Sequence, residues 1–109
     1  MALTTADLVK PMLAAAERSL AADWGKARDY SGPEFRRLAA SLADIAKLVA
    51  ADKVNKRQAQ ALLRIHRNTT QTVLLTIEGL GVIAVENAIN AALGAVRDTV
   101  NMAVGFRLV

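Results

Sequence analysis

Two glutamates stand alone in the most apolar part of this chain and are its first candidates for chemistry. Glu78 and Glu86 interrupt the segment 72–96, TVLLTIEGLGVIAVENAINAALGAV. A carboxylate among apolar helices can hold a proton, line a pore or pair with a cation. On one helix these two lie about 12 Å apart, too far for both to act on one scissile bond. We therefore predict that four buried polar residues pair within or between chains: Glu78, Glu86, Asn90 and Arg97. We predict no catalytic residues.

The rest of the chain offers little catalytic chemistry. Its single histidine, His66, lies between Ile65 and Arg67, and neither glutamate belongs to an E-x-x-H metal motif. The chain has no cysteine, which excludes a thiolate nucleophile and a cysteine metal site. The pair Gly79 and Gly81 lacks the third glycine and the lysine of a phosphate-binding loop. We predict a non-enzymatic protein without metal, cofactor or small-molecule substrate.

A basic stretch precedes the apolar segment, and no acidic residue occurs between Asp52 and Glu78. Its candidate phosphate-binding residues are Lys53, Lys56, Arg57, Arg64 and Arg67. Nucleic-acid binding needs such a cluster, and the net charge of +4 permits an anionic partner. No aromatic residue is interleaved with these cations, however, and a solvated helix end accounts for them as well. Nucleic acid is therefore the least favoured partner.

The elements that would position these residues are helices. Hydrophobic residues make up 53% of the 109 residues but aromatics only 4%, which favours close packing of Ala-rich and Leu-rich helices in one domain, 1–109. Apolar residues at spacings of three and four predict amphipathic helices over 5–24 and 33–51. The second is expected to start at Ser31-Gly32-Pro33-Glu34, a capping box with proline in the first turn. Residues 25–32 are then a loop.

The third predicted helix is long, from 56 to 103, with Asn55 as its cap. The glycines at 79 and 81 cost about 2 kcal/mol against alanine in a helix interior. Residues 77–85 nevertheless lack the Asn, Asp, Ser or Pro of a surface turn, and the polar positions continue in phase across the glycines. The predicted fold is all-α, two short amphipathic helices and one long C-terminal helix. The alternative is a four-helix bundle with a break at Gly79–Gly81.

A long helix of about 70 Å cannot be covered by two helices of about 30 Å each. We therefore predict homo-oligomerisation through its apolar side. The expected interface residues are Leu74, Ile77, Gly81, Ala84, Val85, Ala88, Ala92 and Val96.

The function that follows is a structural or assembly subunit. A membrane-active or pore-forming helical protein is the first alternative, and a basic nucleic-acid-binding adaptor is the second. Expected partners are further copies of the chain, then a membrane or other assembly proteins. The N-terminal residues are broken up by Asp7, Lys10 and Glu17, unlike a secretory signal. The expected location is the cytoplasm or a macromolecular assembly, with membrane association as the alternative.

Overall fold

Helices account for all the regular structure in the part of the chain that the computed structural model describes, residues 3–109 without the Lys26 side chain. The elements are α1 (Thr5–Leu20), a 3₁₀ turn (Ala21–Asp23), α2 (Trp24–Ala50), α3 (Lys56–Leu75), α4 (Val82–Ala95) and α5 (Arg97–Val104). The all-α prediction is confirmed. The predicted pattern of two short helices and one long helix is wrong, because five α-helices are present within these residues.

Side chains cap the first and third helices. Asn55 Oδ1 accepts from the backbone N–H of Gln58 at 2.8 Å, and Gln58 Oε1 accepts from the N–H of Asn55 at 2.9 Å. Two N–H groups without intrahelical partners are thus satisfied, and the predicted cap of α3 is confirmed. Thr4 and Asp7 form the equivalent capping box at the start of α1.

The α1 capping box makes the start of that helix sensitive to acid. The backbone N–H of Thr4, and secondarily its hydroxyl, lowers the pKa of the exposed Asp7 carboxyl below its ordinary value. A carboxyl whose pKa is lower in the folded than in the unfolded chain stabilises the fold above its unfolded pKa. That contribution is lost as the pH falls through the folded pKa, so it is present at neutral pH.

The break between α1 and α2 comes earlier than predicted. Ala21 has a positive φ of 50°, which ends α1, and Trp24 is the first residue of α2 rather than the last of the first helix. The predicted loop over 25–32 is therefore wrong. Ala27 and Phe35 are both fully buried, so the buried stripe of α2 extends back through the expected loop. Tertiary burial outweighs the local signal of Pro33 in the helix interior.

The residues predicted to start a helix, Ser31–Glu34, lie in the interior of α2 instead. Ser31 is fully buried inside α2, and its hydroxyl has no hydrogen-bond partner among the described residues. The Glu34 side chain is mostly buried and pairs with the half-exposed Arg37 one turn later. A motif that could cap a helix is thus absorbed into the interior of a longer one.

The long C-terminal helix is interrupted at the glycines. Helix α3 ends at Leu75, Gly79 adopts a φ of 91°, and α4 begins at Val82. Ile77 and Leu80, which belong to this turn, are themselves buried. A turn that packs its own apolar side chains into the core needs no polar turn residues. The absence of polar turn residues therefore led to the wrong prediction of a continuous helix. The break lies at Gly79–Gly81, where the four-helix alternative placed it.

The turn allows α4 to pack on α1, which is the largest helix–helix contact. Helix α2 contacts both α1 and α3, and α5 packs on α2 after a second break at Val96. The 27 residues of α2 span about 40 Å, close to the 42 Å length of the molecule. The largest fully buried side chains of this core include Leu8, Met12, Phe35, Leu38, Leu42, Ile45, Leu74, Val85 and Ile89.

The positive φ of Gly79 gives a direct test of the break. Gly79→Ala should lower the free energy of unfolding by about 1–2 kcal/mol, because an L side chain is strained there. Gly32→Ala is the matched control: it lies inside α2, no atom lies within 4 Å of an added Cβ, and it should stabilise by about 0.5–1 kcal/mol. Urea denaturation measures both. If Gly79→Ala also stabilised, the helix would be continuous.

Candidate interaction surface

The predicted oligomer interface lies inside the chain. Six of its residues are buried in the core: Leu74, Ile77, Val85, Ala88, Ala92 and Val96. Ala84 is half-buried, and Gly81 alone is exposed. The prediction placed these residues on a continuous helix that lacked neighbours. Since α4 folds back on α1, the six buried residues belong to the core of the same chain and are not available to another copy.

The predicted buried polar pairs are on the surface instead. Glu78, Glu86, Asn90 and Arg97 are all exposed. Asn90 does have a side-chain partner, since its Oδ1 accepts from the guanidinium of Arg67 on α3. The polar strip that runs through these positions is therefore the solvated side of α4 and α5, and its carboxylates carry no cost of burial.

Apolar side chains are exposed on the two helices that flank the glycine turn. The outer α3–α4 surface, as we define it, consists of these exposed residues: Ile65, Asn68, Thr69, Thr72, Leu75, Val82, Ile83, Glu86, Asn87, Asn90 and Gly94. Ile83 is 74% exposed and Ile65 is 59% exposed. Between Arg67 and Arg97 the chain has only two charged residues, Glu78 and Glu86. These exposed aliphatic side chains make the surface the candidate interaction site, with Arg64 and Glu86 as its charged neighbours.

The threonines make this surface less polar than their side chains suggest. Thr69 Oγ1 donates to the carbonyl of Ile65 at 3.0 Å, and Thr72 Oγ1 donates to the carbonyl of Asn68 at 2.9 Å. The two hydroxyls are thus satisfied within their own helix and need no partner from outside it. Together with Ile65 and Val73, these residues line a shallow depression on α3.

The basic residues lie at the other end of α3. Lys53, Lys56, Arg57 and Arg64 are exposed, whereas Arg67 is half-buried and bonded to Asn90. Their role in binding phosphate stays a prediction.

Neither a metal centre nor a membrane span was found in residues 3–109. No three side chains of the His, Cys, Asp and Glu types come together there as metal ligands would. Nor does this range contain a helix with the length and hydropathy needed to cross a bilayer. His66 is half-buried on α3.

Comparison of the chain with protein-family models, with curated proteins and with solved structures finds no match.

The exposed aliphatic residues were not singled out in the sequence, although a signal for one of them exists. Ile65 lies two residues after the buried Leu63, and two residues on a helix correspond to a rotation of about 200°, so the two side chains point in nearly opposite directions. Ile65 is also flanked by the polar residues Arg64 and His66. An isoleucine out of phase with its helix is therefore recognisable. Ile83 gives no such signal, because its exposure depends on where α4 begins and which side faces α1.

The exposure of the two glutamates predicts that neither supports the fold of the single chain. Glu78→Gln and Glu86→Gln should each change the free energy of unfolding by less than about 0.5 kcal/mol. Glu34→Gln, at the mostly buried carboxylate paired with Arg37, should cost about 1 kcal/mol. Urea denaturation at low protein concentration compares the three. A loss above about 2 kcal/mol at Glu86 would mean that its carboxylate is buried.

Proposed function

We propose that the protein is a non-enzymatic structural or assembly subunit that associates with further copies of itself through the outer α3–α4 surface. The observation that carries the proposal is the exposure of Ile65, Leu75, Val82 and Ile83 on α3 and α4, the two helices that flank the glycine turn. This keeps the self-association expected from the sequence but moves it from the apolar side of α4, which is the core, to the opposite side.

The physical support is the apolar area that the chain leaves in water. Complete burial of an exposed Ile or Val side chain contributes about 1.5–3 kcal/mol. Four such groups lie near the α3–α4 turn or on α3. The exposed Thr, Asn and Gly residues around them are uncharged, and Arg64 and Glu86 are charged neighbours that an interface would have to pair or leave at its rim. These are the properties of a surface that gains free energy when another protein covers it.

Substitution at the most exposed residue of this surface tests the proposal. Ile83→Glu should weaken self-association by about 10- to 100-fold, since it replaces an aliphatic group with a charge that must be desolvated. Met102→Glu is the matched control: Met102 is 84% exposed but lies on α5, and its replacement should leave association unchanged. Sedimentation equilibrium over a range of concentrations measures the dissociation constants. A wild-type chain that stays monomeric at all concentrations would refute self-association.

A further inference from the structure

A second group of exposed side chains is positively charged and lies at the end of α3 that is opposite the glycine turn. Residues 53–77 contain no acidic residue, and neither do residues 99–109. These two stretches are far apart in the sequence but meet in the structure, because Gln60 Nε2 donates to the backbone carbonyl of Arg107 at 3.2 Å. The C-terminal segment thus adds a cation to those at the beginning of α3.

The basic α3 patch, as we define it, consists of five exposed cations: Lys53, Lys56, Arg57, Arg64 and Arg107. Among the described residues, none of these side chains forms a hydrogen bond or an ion pair. Arg67 is not part of the patch, because its guanidinium bonds to Asn90. Asp52 precedes Lys53 in the turn and is also exposed, so its carboxylate offsets one of the positive charges. The patch therefore keeps an excess of positive charge that a partner can neutralise.

Arg57 and Arg64 lie on the same side of α3. They are seven residues apart, which separates them by about 10 Å along the helix and by only about 20° around it. Gln60 lies between them along the axis and about 50° to one side, and its bond holds the backbone of Arg107 there. The cations thus form a strip along the helix and do not converge on one point. A strip of charge fits a linear polyanion better than a single small anion.

No exposed aromatic side chain belongs to this part of the described chain. Phe106, next to Arg107, is half-buried. Tyr30 is exposed, but it lies on α2 about 30 Å from the residue at which that helix ends. Proteins hold single-stranded nucleic acids largely by stacking the bases on aromatic side chains. A duplex encloses its bases and presents its phosphates, which cations alone can bind, so a duplex is the polyanion that fits.

We propose that the basic α3 patch binds the phosphate backbone of a double-stranded nucleic acid, without preference for its base sequence. Duplex DNA carries one negative charge per about 1.7 Å of its axis, so a strip of about 10 Å faces several phosphates at once. Contacts to phosphates position a protein on a duplex but carry no sequence information directly. This function goes beyond the proposed self-association and does not depend on it, since a single copy of the chain holds all the cations of the patch.

Fluorescence anisotropy of a labelled DNA duplex of about 20 base pairs tests the proposal through its salt dependence. Each phosphate that a cation neutralises steepens the plot of log affinity against log salt by about 0.9. With four or five such contacts the slope should be about −4, a loss of affinity of about 250-fold between about 50 and 200 mM salt. An RNA duplex of the same sequence, measured in parallel, shows which kind of duplex supplies the phosphates.

Removal of the two arginines on the common side of α3 locates the binding. Arg57→Gln combined with Arg64→Gln should weaken duplex binding by about 10- to 100-fold at about 50 mM salt and reduce the slope by about 2, because two phosphate contacts are lost. Lys10→Gln combined with Arg18→Gln is the matched control, since it removes the same charge from exposed positions on α1. The control should keep the slope and stay within about 2-fold of the wild-type affinity.

Three results would overturn the inference. An equal loss in both double variants would mean that the net charge of the chain, and not this patch, attracts the duplex. Tighter binding to the single strand of the same DNA than to its duplex would contradict the choice of ligand. Absence of binding to either duplex at low salt would remove the function, and binding to vesicles of phosphatidylcholine and phosphatidylserine in that case would make the partner a membrane surface. None of these results bears on the proposed self-association.

Discussion

Packing of α4 against α1 is the contact on which the rest of this structure depends. It requires α3 to end at Leu75 and the chain to reverse within a few residues, which Gly79 allows through its positive φ. The reversal buries one side of α4, including Val85, Ala88 and Ile89, in the core of the same chain. The apolar excess of the C-terminal half, which first suggests a missing neighbour or a membrane, is thereby largely covered.

The same contact determines which side of α4 is exposed to solvent. With its most apolar side turned to α1, α4 presents Ile83, Glu86 and Asn90 to solvent. Helix α3 presents Ile65 and two threonines whose hydroxyls are bonded to its own backbone. The resulting surface is exposed to solvent and carries aliphatic side chains among polar ones. Its exposed aliphatic groups are the basis of the proposed association.

Local signals and tertiary contacts disagree at two points of this chain, and tertiary contacts prevail at both. At Ser31–Glu34 the residues of a good helix start lie inside α2, because Ala27 and Phe35 continue one buried stripe through them. At Ile77–Leu80 a stretch without polar turn residues forms a turn, because its apolar side chains enter the core. In each case the free energy of burying apolar groups exceeds a cap or a propensity term of about 1 kcal/mol.

The sequence by itself determined the helical class, the capping of α3 by Asn55 and the helical conformation of residues 33–50 in α2, because these depend on local spacing and on hydrogen bonds within one turn. It also left two alternatives for the path of the chain, a continuous helix or a break at Gly79–Gly81. The choice between them was decided only by tertiary structure, since it depends on the free energy gained when α4 meets α1. Which residues are core and which are surface follows from that choice. A periodic pattern shows that a helix has an apolar side, but only its neighbours decide whether that side is covered.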